Sequence, residues 1–411
     1  MTTPRRVIAD IAVVNPRLPQ GLTSDLSRHV DFVPMANLSE DGVVLPKETR
    51  PLRDVMKGYT YFQNGDVVVA KITPCMENGK AAYVDNLKCG IGFGSTEFHV
   101  LRPGRDVDGQ YLFWMIWGRH FRQSAQANMT GSAGQKRVPA SFFGRYEIPV
   151  PALAEQKRIA AILDVANALR LMRQASVEQL NELIQSTFLE MFGDPVTNSK
   201  NWSDTVLLGE VADITSGLTK GRKLRNHSTR EVPYLAVVNV QDRHLILNPL
   251  KTIEATDAEI EKYRLLRNDL LLTEGGDRDK LGRGTLWQGE LPECIHQNHI
   301  FRVRLHDERL VPVFLNWLVG SDRGKRYFLS QAKQTTGIAS INLSQLKRFP
   351  LLIPPLHLQQ SFNSIAEAAE SHKVLLKTQH AELESLFASL QLRAFSGELS
   401  SSTALRRHVS A

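Results

Sequence analysis

The chain has 411 residues, 42% of them hydrophobic, with 50 Lys and Arg against 43 Asp and Glu, a formal charge of +7 and a sequence pI of about 9.3. This length and composition imply two to four domains with folded cores, and the moderately basic balance favours an anionic partner. No apolar run approaches the roughly 18 residues of a membrane span, the opening MTTPRRVIADIAVV lacks a signal-peptide core, and Cys75, Cys89 and Cys294 show neither disulfide-framework nor zinc spacing, so a cytoplasmic protein is expected.

In chain order, residues 7 to 16 (VIADIAVVNP) read as a short amphipathic segment entering a Pro turn, answered by VLLGEVADITSG at 206 to 217. Val33-Pro34 and Val232-Pro233 are each expected to begin a strand, because Pro is tolerated at a strand's first position. Gly65 to Lys71 is a turn followed by a β-branched run, and Asn268 to Glu274 repeats it. Beyond these runs the loops diverge, ITPCMENGK in the first case and GGDRDKLGRG in the second. Gly90 to Gly94 is similar to the opening of a dinucleotide or S-adenosylmethionine loop, but no strand ends before it and no helix opens after it, so a turn between strands is expected.

Phe98 to Leu101 and Phe301 to Arg304 form a matched strand pair. Tyr111 to Ile116 and Phe314 to Val319 form a matched helix pair, with Trp114 and Trp317 in the core. The segments MTGSAGQKRVPAS (129 to 141) and QTTGIASINLS (334 to 344) are Thr-Gly loops, each running to a Ser that opens a short helix or turn.

Leu153 to Phe192 carries Ile159, Ile162, Ala166, Leu169, Met172, Val177, Leu180, Ile184, Phe188 and Met191 at steps that predict one long amphipathic helix with a helix partner, closed by Gly193 as a left-handed cap. The same stretch occurs twice. A shift of 203 takes Pro151, Leu153, Gln156, Ile162, Ala166, Leu180, Leu189 and Phe192 to Pro354, Leu356, Gln359, Ile365, Ala369, Leu383, Leu392 and Phe395 without a gap. The chain is therefore a tandem repeat with segments 1–150, 151–195, 196–353 and 354–398, and a small polar tail at 399–411 expected to be loosely ordered.

Signatures of chemistry are missing. There is no GxxxxGK[ST], no Asn-Pro-Pro-Tyr for a flipped adenine, no HExxH and no GxSxG. Asp277 and Asp279 alternate with Arg278 and Lys280, which reads as neutralised loop charge and not as a nuclease metal site. His296 and His299 lie in a loop and strand region where they are not expected to share a ligand. A recognition or assembly component fits better than an enzyme. A protein scaffold with incidental basic loops, and a cryptic methyltransferase or nuclease, are the competing classes.

The segments GIGFGSTEFHVLRP (90 to 103), MTGSAGQKR (129 to 137), PVPALAEQKRIAAILD (149 to 164) and FGDP (192 to 195), with echoes in PPLHLQQ (354 to 360) and FSGEL (395 to 399), give a pattern that resembles the specificity subunit of type I restriction-modification systems. The second copy departs at Gln360-Ser361-Phe362, which replaces Lys157-Arg158-Ile159. The resemblance implies a mixed α/β (α+β) fold in which two pseudo-symmetric target recognition domains, 1–150 and 196–353, are joined by two long antiparallel helices, 151–195 and 354–398, as a coiled-coil spacer. It also implies a non-catalytic subunit that reads a split target on double-stranded DNA. Two modification subunits carrying S-adenosylmethionine would dock on the helices, restriction subunits using ATP and Mg would join the larger complex, and this chain would hold no cofactor.

A helix of this length is about 60 Å long, enough to act as a ruler along a duplex. Divergent loops imply unlike half-sites. For DNA contact the candidates are Lys71, Asn78, Lys80, Gln135, Lys136 and Arg137 in the first copy. In the second copy they are Lys220, Arg222, Lys223, Arg225, Lys280, Arg283, Thr336 and Asn342. Lys and Arg neutralise phosphates, while Arg, Asn and Gln can make paired hydrogen bonds to base edges.

Overall fold

The computed structural model describes residues 3–45, 48–132, 134–221, 228–277, 281–335 and 338–399. It divides into two compact units, Met1–Gln174 with Thr378–Ala411, and Ala175–Lys377. No helix among the described residues is long and apolar enough to cross a membrane.

In the first unit an antiparallel four-stranded sheet runs in the order Ala12–Val14, Phe98–Pro103, Val67–Ala70, Ala81–Tyr83. A second sheet runs Glu48–Pro51, His29–Val33, Ile91–Gly94, Thr60–Gln63, with one parallel pairing between His29–Val33 and Ile91–Gly94. Every residue of Val67–Ala70 is buried, as its unbroken apolar run requires. The helix Gly109–Trp117 starts where Asp108 accepts a hydrogen bond from the Tyr111 N–H, and it buries all seven residues from Tyr111 to Trp117.

The glycine-rich stretch is not a turn. Ile91–Gly94 is a buried strand, and a Cβ at Gly92 would lie 2.7 Å from the Phe62 ring. These glycines serve close packing and not a phosphate. Val33-Pro34 likewise ends a strand, with Pro34 leading into the turn Met35–Asn37. Val232-Pro233 lies inside Arg230–Leu235. On one side that strand is paired only at Tyr234 and Leu235, so the missing N–H of Pro233 costs no ladder bond there.

The second unit repeats the plan. Its four-stranded sheet runs Ala212–Ser216, Ile300–Leu305, Leu270–Thr273, Gly284–Leu286, and its smaller sheet runs Lys251–Ala255, Arg230–Leu235, Ile295–His296. The parallel pairing Phe32 with Phe93 returns as Leu235 with His296, at the shift of 203. One strand slips by a residue. Val67 faces Leu101 but Leu270 faces Val303, so Phe98 corresponds to Ile300 and not to Phe301. A one-residue error in a strand turns every side chain to the other face, and only the shift of 202 places Arg102 and Arg304 alike. Arg102 grips buried Asp66 through two 2.8 Å bonds, and Arg304 grips buried Asp269 through two of 2.7 Å.

The long helices are Leu153–Phe192 and Leu356–Ser396, and Gly193 closes the first with φ +76°. The first unit's core takes Ile159, Ala160, Leu163 and Ala166 from one and Phe387 and Ala394 from the other. The second unit's core takes Ile184, Phe188 and Phe192 with Phe362 and Ala366, Phe362 filling the place that Ile159 has in the first. Within each unit the segments run antiparallel, with Arg170 at Glu384 and Arg158 at Leu399 in the first. In the second, Asn181 meets Lys373 and Phe188 meets Phe362. The apolar stripe is not buried throughout: Leu169 is 47% and Met172 65% exposed, because the core-facing set is centred on Leu163.

Each long helix is fastened by a buried glutamine. Gln156 accepts from the Asp108 N–H at 2.9 Å and donates to the Asp106 and Pro151 carbonyls at 3.0 and 2.8 Å. Gln359 accepts from the Val311 N–H at 3.0 Å and donates to the Arg309 and Pro354 carbonyls at 2.9 and 2.8 Å. Both are fully buried. Gln156→Met or Gln359→Met removes the partner of three part-buried backbone groups and is expected to cost about 3 kcal/mol. Denaturant unfolding of each variant checks this, and an unchanged midpoint would refute it.

His296 is fully buried in the second unit, with Nδ1 2.9 Å from the Ile300 carbonyl, which assigns the proton to Nδ1 and leaves Nε2 without a partner. Burial pushes its pKa down to about 4. The unfolded imidazole takes up a proton below about pH 6.5 and the folded one does not, so stability present above that pH is lost toward pH 4, by about 3 kcal/mol. His296→Phe installs the residue found at the matched Phe93. It is expected to shallow the fall in melting temperature between pH 6.5 and 4, with buried His99 supplying what remains.

Candidate nucleic-acid interface

In the first unit two segments leave the ends of the central strands and are stitched into one rim. Lys71 N–H donates to the Glu97 carbonyl at 2.9 Å, and the Lys71 carbonyl accepts from Val138 N–H at 2.9 Å. Thr73 N–H donates to the Lys136 carbonyl at 3.0 Å, and Thr130 and Arg137 exchange bonds of 2.9 and 2.8 Å that close a hairpin. Lys71, Gln135, Lys136 and Arg137 thus meet in one place, with Gln135 and Lys136 exposed. Asn78, which is exposed, and half-buried Lys80 each have a partner within the protein. Asn78 Nδ2 donates to Glu40 at 3.0 Å and Lys80 Nζ to the Met35 carbonyl at 3.4 Å.

Arg137 is occupied. Its Nε and Nη2 reach Glu97 at 2.9 and 2.8 Å, which raises the arginine's pKa and holds the Glu97 carboxyl below its usual range. Two strand positions on, buried His99 places Nε2 2.8 Å from the Val138 carbonyl and Nδ1 3.1 Å from Asn15 Nδ2, and burial lowers its pKa. His99 was legible in the sequence only as a strand residue and Glu97 only as the residue ahead of that strand. Their polar character at alternate positions beside an apolar run was the available signal.

The second unit builds its rim on the same backbone frame. Glu274 N–H donates to the His299 carbonyl at 3.0 Å and the Glu274 carbonyl accepts from Ile341 N–H at 3.0 Å. The Thr-Gly segment there is a strand pair, Lys333–Thr335 with Ile338–Ser340, the latter also pairing with Gly275–Gly276. Glu274 takes the place of Lys71 and pairs with His299 at 2.7 Å. The matched sites have exchanged acid and base.

Arg283 stands on the returning arm, its Nη1 bonded to Gln241 at 2.8 Å. Lys220 is exposed, 4.8 Å from the Tyr234 ring centre, in a segment that Leu218 and Asn298 tie beside His296. Arg222, Lys223, Arg225, Lys280 and Thr336, like Arg278, Asp279 and the tail beyond Leu399, lie outside the described residues.

Asn342 is a helix cap. Its Oδ1 accepts from Gln345 N–H at 2.9 Å while Gln345 Oε1 accepts from Asn342 N–H at 2.8 Å, opening Leu343–Lys347. Asn342→Ala is expected to lower stability by about 1 kcal/mol, and thermal melting with a binding titration separates this from lost DNA contact.

An open groove of about 980 Å³ in the second unit mixes Arg243, Lys373 and Lys377 with Asp242, Glu367 and Glu370, a balance unlike a phosphate cradle. Among the described residues no group of three or more His, Cys, Asp or Glu could hold a metal ion.

Residues 55–181 match the family model of the type I restriction modification DNA specificity domain. The specificity subunit of the EcoAI type I restriction enzyme of Escherichia coli is 42% identical over 195 residues, 46% of this chain and 32% of that protein, so the chain matches about a third of that relative's length. The StySPI specificity subunit of Salmonella potsdam is 26% identical over 337 residues, 78% of this chain and 72% of that one. The crystal structure of a type I restriction-modification S subunit from M. genitalium has the same fold, with a TM-score of 0.54 at 14% identity over 96% of this chain and 99% of that one.

Proposed function

Because residues 55–181 match the family model of the type I restriction modification DNA specificity domain, we propose that this chain is a specificity subunit that reads an asymmetric, bipartite target on double-stranded DNA through its two rims, without catalysis of its own. The observation that carries this reading is one backbone frame used twice with exchanged chemistry: Lys71 with Gln135 and Lys136 in one unit, Glu274 with His299 in the other. Unlike donor and acceptor sets select unlike base edges. Lys136 is suited to a phosphate and Gln135 to an adenine edge. In the second unit Lys220 and Arg283 are the corresponding cations. Two modification subunits, which would bring S-adenosylmethionine, dock on the long helices, where Val165, Leu169, Met172, Val374, Leu375 and Leu392 are exposed. Restriction subunits, with ATP and Mg, join the larger complex.

Selection from a random duplex pool by the chain with its modification subunits tests this. The expected result is one split motif with different halves. Lys136→Ala should weaken binding to all duplexes alike and lower the salt slope by about one, whereas Gln135→Ala should relax one base position. Equal, purely salt-dependent affinity for every duplex would refute sequence reading.

A further inference from the structure

Arg137 looks at first like a free cation on the rim, but the structure gives its guanidinium two internal tasks. Nε and Nη2 hold the Glu97 carboxylate at 2.9 and 2.8 Å, and Nη1 donates to the Gln135 backbone carbonyl at 3.0 Å. The same side chain therefore links a strand end to the backbone of the exposed residue beside Lys136. The strand end is itself fixed, since the Glu97 carbonyl accepts from Lys71 N–H. Three of the five guanidinium N–H donors are spent in this way, and the side-on pair of Nε and Nη2 is held by Glu97 and not offered to a guanine edge.

We infer that Glu97 is a positioning residue for target recognition: through Arg137 it sets the register of Gln135, so the first rim's base preference depends on it while its general affinity for DNA does not. The inference deepens the proposed function and rests on its reading that this rim contacts DNA. A second observation supports it. At the position matched to Glu97 in the other unit, the His299 side chain is likewise held, here by Glu274 at 2.7 Å on the adjoining strand end and not by the Thr-Gly segment. In both copies the side chain at this position has a hydrogen-bonded partner, and in the first copy that partner belongs to the loop itself.

The test uses the full chain with its modification subunits and a random-sequence duplex pool, reading base preference in each half of the enriched motif together with the salt slope. Glu97→Gln is expected to reduce discrimination about tenfold in one half-site, the lower end of what a paired hydrogen bond contributes. The other half-site and the salt slope should stay as they are. Arg137→Lys keeps the charge and loses the fork, and should behave like Glu97→Gln. The untouched half-site is an internal control, because a merely destabilised protein loses both. Unchanged preference in Glu97→Gln, equal loss in both halves, or retained preference in Arg137→Lys would overturn the positioning role. A wild-type complex that enriches no motif would overturn the DNA reading beneath it.

Discussion

A carboxamide whose accepting oxygen and both amide hydrogens are spent on backbone groups is the joint on which each unit depends. Gln156 ties the start of one long helix to the carbonyl and N–H of the segment before Gly109–Trp117, and Gln359 does the same ahead of Pro312–Val319. No apolar side chain can replace this. Shape alone would let the helix slide, whereas three directed bonds in a dry site define one rotation and one height. The aromatic clusters around Trp114 and around Phe188 then add packing to a geometry already set.

Much of the fold was legible because the duplication repeats helices without a gap, and a helix tolerates comparison by residue number alone. Strands were less forgiving. The pair Phe98 and Phe301 looked equivalent as residues, yet the ladder puts Ile300 opposite Thr273 where Phe98 stands opposite Ala70. Sequence similarity rewards like residues, while a sheet rewards like faces. The long apolar stripe failed for a related reason: its period was right, but periodicity does not say where along a helix the core stops, and Leu169 and Met172 lie beyond it.

At the rim the structure joins Lys71 with the Gln135 to Arg137 loop, and the sequence held an incomplete account of the charges there. It marked Arg137 and Asn342 as groups offered to a ligand, and the structure engages one with Glu97 and the other with Gln345. The distinction between a cation that faces outward and one that holds the loop depends on a partner 40 residues away, which no local pattern contains. Lys136 and Gln135 are exposed beside Arg137.

The first unit's core includes Phe387 and Ala394, which leave the ribosome after the whole of the second unit has been made. During synthesis the amino-terminal sheets therefore wait, with Trp114 and Trp117 lacking their aromatic neighbour Phe387. Vectorial folding, in which the earlier half matures before the later half emerges, does not suit this topology. The helix Leu356–Ser396 thus supplies a closing piece of the first unit's core, which ties completion of that core to synthesis of the second unit.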